Sequence, residues 1–162
     1  MNREVLKNQI LSLTDQTSEN FVGFPNNSAE AADNWVGVFN EYLNGTPLSF
    51  IPGSNTLNIG LEALRGMLLQ INEPLKNGEI MFVMGLVSMA AAIAPGISTK
   101  SSGAFTGVPP VGQPILSPIF QMGIQNLFTA EQIADALAAA IDSWLKTGTY
   151  INNESGAILF WQ

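Results

Sequence analysis

Apolar positions recur at helical spacing along most of this chain, and where they stop doing so glycine and proline cluster instead. Leu6, Ile10 and Leu13 space a short amphipathic helix over 3–13. Ala32, Trp35, Val36, Phe39 and Leu43 mark a stronger helix, capped by Ser28 and closed by Asn44-Gly45. Leu57, Leu61, Leu64, Leu68 and Ile71 step by four, three, four and three, the stripe of a helix packed on one side. Glu73-Pro74 and Asn77-Gly78 break that pattern, and an apolar helix is expected from about residue 79 to 94. The short connection makes these two helices an antiparallel pair. Leu116, Ile119, Phe120, Gly123 and Leu127 place a further helix within 115–127, with Pro118 in its first turn. Thr129 to Gln132 fits a capping box, which opens a last helix with an apolar face of Ile133, Leu137, Ala140, Ile141, Trp144 and Leu145.

Two stretches lack this period. The link over 46–58 holds Pro47, Pro52 and Gly53 and is expected to be irregular. Residues 95–114 are rich in Gly, Ser and Pro, yet Phe105, Val108 and Val111 are unusual in a free linker and predict a docked arm. The end of the sequence, TYINNESGAILFWQ, reads as a β-hairpin-like tail over 149–162 with its turn between Asn152 and Gly156. Leu159, Phe160 and Trp161 would be exposed there unless they fold back on the bundle or extend a neighbour's sheet edge. The expected fold class is therefore mainly α: a single-domain helical bundle, residues 1–162, of about five or six helices, with a Pro/Gly-rich arm and a short β tail.

Composition changes the picture in one respect. Apolar residues reach an ordinary 46%, but charged residues only 12%, so the deficit is in charge. The fifty-one residues between Glu79 and Glu131 carry one charge, Lys100, and must largely be hidden from water. Interfaces are depleted in charge at their centres, so this points toward assembly, with a compact neutral monomer as the equal alternative. The stretch from Ile80 to Ile97 also invites a membrane reading, but Pro95-Gly96 ends it after about fifteen residues, a length that favours a core helix. Charges interrupt the first fifteen residues, so no secretory signal is expected.

Six Lys and Arg against thirteen Asp and Glu give a net charge of −7, and the cations are scattered singly, so direct nucleic-acid binding is not expected. The absence of Cys removes disulfides and thiol chemistry, and the absence of His removes the commonest general base and metal ligand. Carboxylates remain. Glu131, Asp135 and Asp142 lie opposite the apolar stripe of the last helix, where paired acids do acid–base work or bind a hard cation. Acids near a helix start more often serve its dipole, as Glu30 and Asp33 do beside Ser28, and no second acidic cluster completes a site. No catalytic residue, metal or cofactor is expected.

The segments AADNWVGVFNEYL, VPPVGQPILSPIFQMG, AEQIADALAAAIDSWLKTG and TYINNESGAILFW together resemble small virion structural proteins of tailed bacteriophages. The resemblance covers the chain from about Ala31 onward as a style of sequence rather than a motif. It implies a non-enzymatic building block of the neck, tail or baseplate, with a tail-completion or connector-like role. Its partners would be other copies of itself and neighbouring virion proteins, and its location the virion, assembled in the host cytoplasm. The arm and the tail would then be the joining parts, with Phe105, Val108, Val111, Phe160 and Trp161 as contact residues. Two readings of other classes stand beside it: a holin-like or pore-forming protein that inserts residues 80–94, and a small hydrolase that uses Glu131 and Asp135.

Overall fold

A computed structural model describes residues 2–44, 56–96 and 105–161. Gly45, the link through Pro47, Pro52 and Gly53, residues 97–104 of the arm and Gln162 lie outside the described residues. Within them the protein is mainly α, with six α-helices and a three-stranded antiparallel sheet. The helices are α1 (Arg3–Thr14), α2 (Ser28–Asn44), α3 (Thr56–Leu68), α4 (Glu79–Ile93), α5 (Ser117–Ile124) and α6 (Ala130–Leu145). The strands are β1 (Phe105–Val108), β2 (Thr149–Asn152) and β3 (Ile158–Phe160).

Helix starts follow the side chains that can satisfy free amides. Thr129 and Gln132 form the expected capping box at α6. At α2 the side-chain acceptor is Asn27, one residue ahead of the expected Ser28, and it takes the Glu30 amide. The stripe breaks before Pro74 and α4 starts at Glu79 as expected, but Asn77-Gly78 does not interrupt the helical backbone. Pro74–Gly78 forms a short π-helical turn that runs directly into α4, with Gly78 in helical conformation and the Asn77 amide bound to Gln70 O and Asn72 Oδ1. The stripe of α3 ends at Leu68 instead of Ile71, where a tight turn takes over, although Ile71 still packs on the core.

Packing runs α6–α1–α2–α3–α4, with the largest contact between α3 and α4. Gly60 lies against Ile93 and Met89, and Gly85 against Leu64 and Met67, so α3 and α4 are antiparallel and approach where no Cβ intervenes. Arg3 pairs with Asp135 and Lys7 with Glu131, which makes α1 and α6 antiparallel as well. Leu6, Ile10, Phe39, Leu64, Leu86, Met89 and Ile141 fill one shared core. Each such side chain contributes about 1.5–3 kcal/mol through its removal from water. An aromatic chain, Trp35 to Phe82 to Phe120 with centroids 4.8 and 6.3 Å apart, ties α2 and α5 to α4.

The described part of the arm is docked: Pro95 and Gly96 lie in a 3₁₀ turn that continues α4, and Phe105–Val108 form a strand rather than a loop. β1 pairs with β2 (Phe105 opposite Asn152, Val108 opposite Thr149), and β2 pairs with β3 (Thr149 opposite Phe160, Ile151 opposite Ile158). Pro110 and Pro114 are buried and pin the rest of the arm.

Candidate functional site

The sheet sorts the tail and arm residues onto two faces, because successive strand side chains point to opposite sides. Phe105, Gly107, Tyr150 and Leu159 share one face by register, and Trp161 continues it. This face turns inward. Tyr150 packs on the core, Phe105 meets it edge-on with centroids 5.7 Å apart, and a Cβ on Gly107 would collide with the Ala94 carbonyl oxygen. The Trp161 ring lies over Gly148, its backbone amide donates to Gly148 O, and its Nε1 donates to Thr149 O at 3.1 Å.

Thr106, Val108, Thr149, Ile151, Ile158 and Phe160 make the other face. They stand in two rows, Ile158–Ile151–Thr106 and Phe160–Thr149–Val108, without a charged side chain. Ile158 is 59% and Phe160 57% exposed, while Val108, Thr149 and Ile151 on the same face are half-buried. The five expected contact residues therefore divide. Val108 and Phe160 point outward, and Val111 is 82% exposed in the loop beyond β1. Phe105 turns inward, and Trp161, at 1% exposure, is a core residue of its own chain rather than an exposed contact. Ile151 and Ile158 belong to the outer face and were missed; the alternation TYIN and AILF carried the signal once the hairpin register was assigned.

β3 is an edge strand, and among the described residues nothing pairs with its far side. Asn152 donates to Ala157 O and Trp161 to Gly148 O, so the hydrogen-bonded positions of this hairpin alternate through Leu159. The amides and carbonyls of Ile158 and Phe160 consequently face away from β2.

The acids expected on one stripe do not form a site. Glu131 binds Lys7 at 2.9 Å and Asp135 binds Arg3 at 2.6 Å, so both serve the α1–α6 contact. The Glu131 hydrogen bond raises the Lys7 pKa. Asp142 is not on the solvent face at all: it is buried, accepts from Tyr42 Oη at 2.6 Å and pairs with Lys146 at 2.7 Å. Seven residues return a helix to nearly the same stripe, but the end of α2 covers that stripe at Asp142 and leaves it open at Asp135. Burial, with the hydrogen bond to Asp142, pushes the Tyr42 phenol well above its usual range. Among the described residues no group of three or more acidic side chains is placed to hold a metal ion.

Every described cation is matched within the chain: besides these pairs, Arg65 binds Asp33 and Lys76 binds Glu73. Eight of the thirteen acids lie outside these five pairs, so the uncompensated surface charge is negative.

A second apolar feature is a cleft of about 910 Å³ between the start of α2, the π-helical turn, α4 and α5. Trp35, Phe82 and Phe120 line it, and Leu75, Ile80 and Ile124 form exposed parts of its wall. Residues Pro74–Gly96 are long and apolar enough to cross a membrane by length and composition, but Phe82, Val83, Leu86, Met89, Ala90 and Ile93 face the bundle. Comparison with protein-family models, with curated proteins and with solved structures finds no match, so the functional reading rests on this chain's own geometry and charge.

Proposed function

We propose that this chain is a non-enzymatic structural subunit that works by joining copies of itself through its C-terminal sheet. The observation that carries the reading is the outer sheet face, where exposed Ile158 and Phe160, beside half-buried Ile151 and Val108, form an uncharged apolar surface on a chain of net charge −7. Contiguous exposed apolar surface marks contact sites on soluble proteins. Two acidic copies repel each other least where neither carries charge. The setting that the sequence resemblance suggests, the neck, tail or baseplate of a tailed-phage virion, calls for such a repeated part.

The hydrolase reading loses support from the cationic partners of Glu131 and Asp135. Membrane insertion of α4 would first have to strip its buried face from α3.

The test is the mass of the full chain in solution by light scattering over a range of concentration. A discrete oligomer is expected, and Phe160→Glu should return it to monomer with unchanged circular dichroism, because a charge then sits in the contact. A wild-type chain that stays monomeric throughout, or a Phe160→Glu variant that assembles as well as the wild type, overturns the proposal.

A further inference from the structure

Building on the assembly reading, we infer that the joint is a two-fold antiparallel pairing of β3 with β3 of a second copy, which merges two three-stranded sheets into one of six strands. The argument starts from the backbone. An edge strand offers its unpaired amides and carbonyls to any strand that matches their spacing. Here the outward pairs sit on Ile158 and Phe160, one residue either side of Leu159. A two-fold axis through Leu159 places Ile158 opposite the second copy's Phe160, and Phe160 opposite its Ile158. Both positions are hydrogen-bonded pairs in an antiparallel ladder, so this register closes four hydrogen bonds. Sliding the strands by two residues leaves a single outward pair in register.

The side chains favour the same register. On the outer face each Phe160 stands directly across from an Ile158, an aromatic–β-branched cross-strand pair of the kind that stabilises sheets. The two outer rows then continue from one copy to the other, with no charge among Ile151, Ile158, Phe160, Thr149, Val108 and Thr106. On the inner face the two Leu159 side chains, each 44% exposed in the single chain, meet across the axis. A contact that repeats the same patch on both partners closes on itself and does not grow into fibres. It is also small, so the expected dissociation constant is on the order of micromolar.

Cysteine pairing reads out this register directly, because the chain contains no cysteine. In the proposed joint the Leu159 positions form a non-hydrogen-bonded pair with Cα atoms about 4.5 Å apart, within disulfide reach. The two Ile158 positions, and the two Phe160 positions, are offset along the strands by two residues and lie about 8 Å apart, beyond that reach. Full-length Leu159→Cys, Ile158→Cys and Phe160→Cys variants would be oxidised at high micromolar protein and separated without reductant. Leu159→Cys should yield most of the chain as a reducible covalent dimer, and the other two little. As an independent check, Ile158→Pro removes an outward N–H without touching the bonds to β2, and should weaken association about tenfold or more.

If the wild type assembles but Leu159→Cys does not cross-link, or all three variants cross-link alike, the two-fold register is wrong while the assembly reading stands. If the wild type is monomeric at every concentration, both fall. Undiminished association of Ile158→Pro also overturns the strand pairing.

Discussion

Phe160 and Trp161 are adjacent in sequence and lie on opposite sides of the sheet. Trp161 is enclosed by its own chain, with its indole nitrogen bonded to Thr149 O; Phe160 is more than half exposed. The same division separates Phe105 from Val108 on β1. The inner face closes the bundle, and the outer face carries Ile158 and Phe160, the side chains proposed to meet a second copy. A deletion of residues 149–162 would remove both at once, so loss of assembly in such a chain would say nothing about the outer face.

Single substitutions separate the two faces. The largest effect is expected for Trp161→Ala, which empties a buried site of aromatic size and should lower the unfolding free energy by about 3–5 kcal/mol in urea denaturation. Gly107→Ala acts on the same inner face through a close approach: its Cβ would collide with the Ala94 carbonyl, a backbone atom that cannot rotate away. A loss of about 1–3 kcal/mol is expected, read as a lower melting temperature. Phe160→Glu should change the unfolding free energy by only about 0.5 kcal/mol, since the site is exposed, while it abolishes assembly. Equal destabilisation by Phe160→Glu and Trp161→Ala would remove the distinction between the faces.

The smallest effects are electrostatic. Added salt should strengthen association, because it screens repulsion between copies that each carry net charge −7, and should leave unfolding nearly unchanged. Lowering the pH toward 5 should act in the same direction. The fold should tolerate that change. Hydrogen bonds from Thr17, Asn26 and Arg65 hold Asp15, Glu30 and Asp33 below their usual carboxylate values. A depressed folded pKa contributes stability that is complete above the unfolded value and is lost only as pH falls through the folded one. Any acid loss of fold from these groups therefore belongs below about pH 4, and circular dichroism against pH would locate it.

Much of the helical frame was legible because helices announce themselves locally. The capping box at Thr129, the stripe from Leu57 to Leu68 and the hairpin turn near Asn152 each depend on residues within a few positions of one another. The readings that failed concern longer range. Asn77-Gly78 has the composition of a break, but side-chain hydrogen bonds to Gln70 and Asn72 stabilise it as the entry to α4. Asp142 matched the solvent stripe of α6 by period, yet Tyr42, a hundred residues earlier, covers it. Phe105 and Trp161 looked like contact residues because they are large and lie in segments without helical period; the direction of Phe105 depends on a β1–β2 register that joins residues some forty positions apart, and that of Trp161 on the β2–β3 hairpin register and its bonds to Gly148 and Thr149.

The sequence by itself determined that this is a mainly helical, acidic chain poor in charge, with neither histidine nor cysteine, because spacing and composition are properties of neighbouring residues and of totals. Only the tertiary structure decided which side of the tail is core and which is free. Strand faces alternate with every residue, so the pairing of β1, β2 and β3, and the bundle wall against which one face closes, had to exist before Trp161 could be distinguished from Phe160.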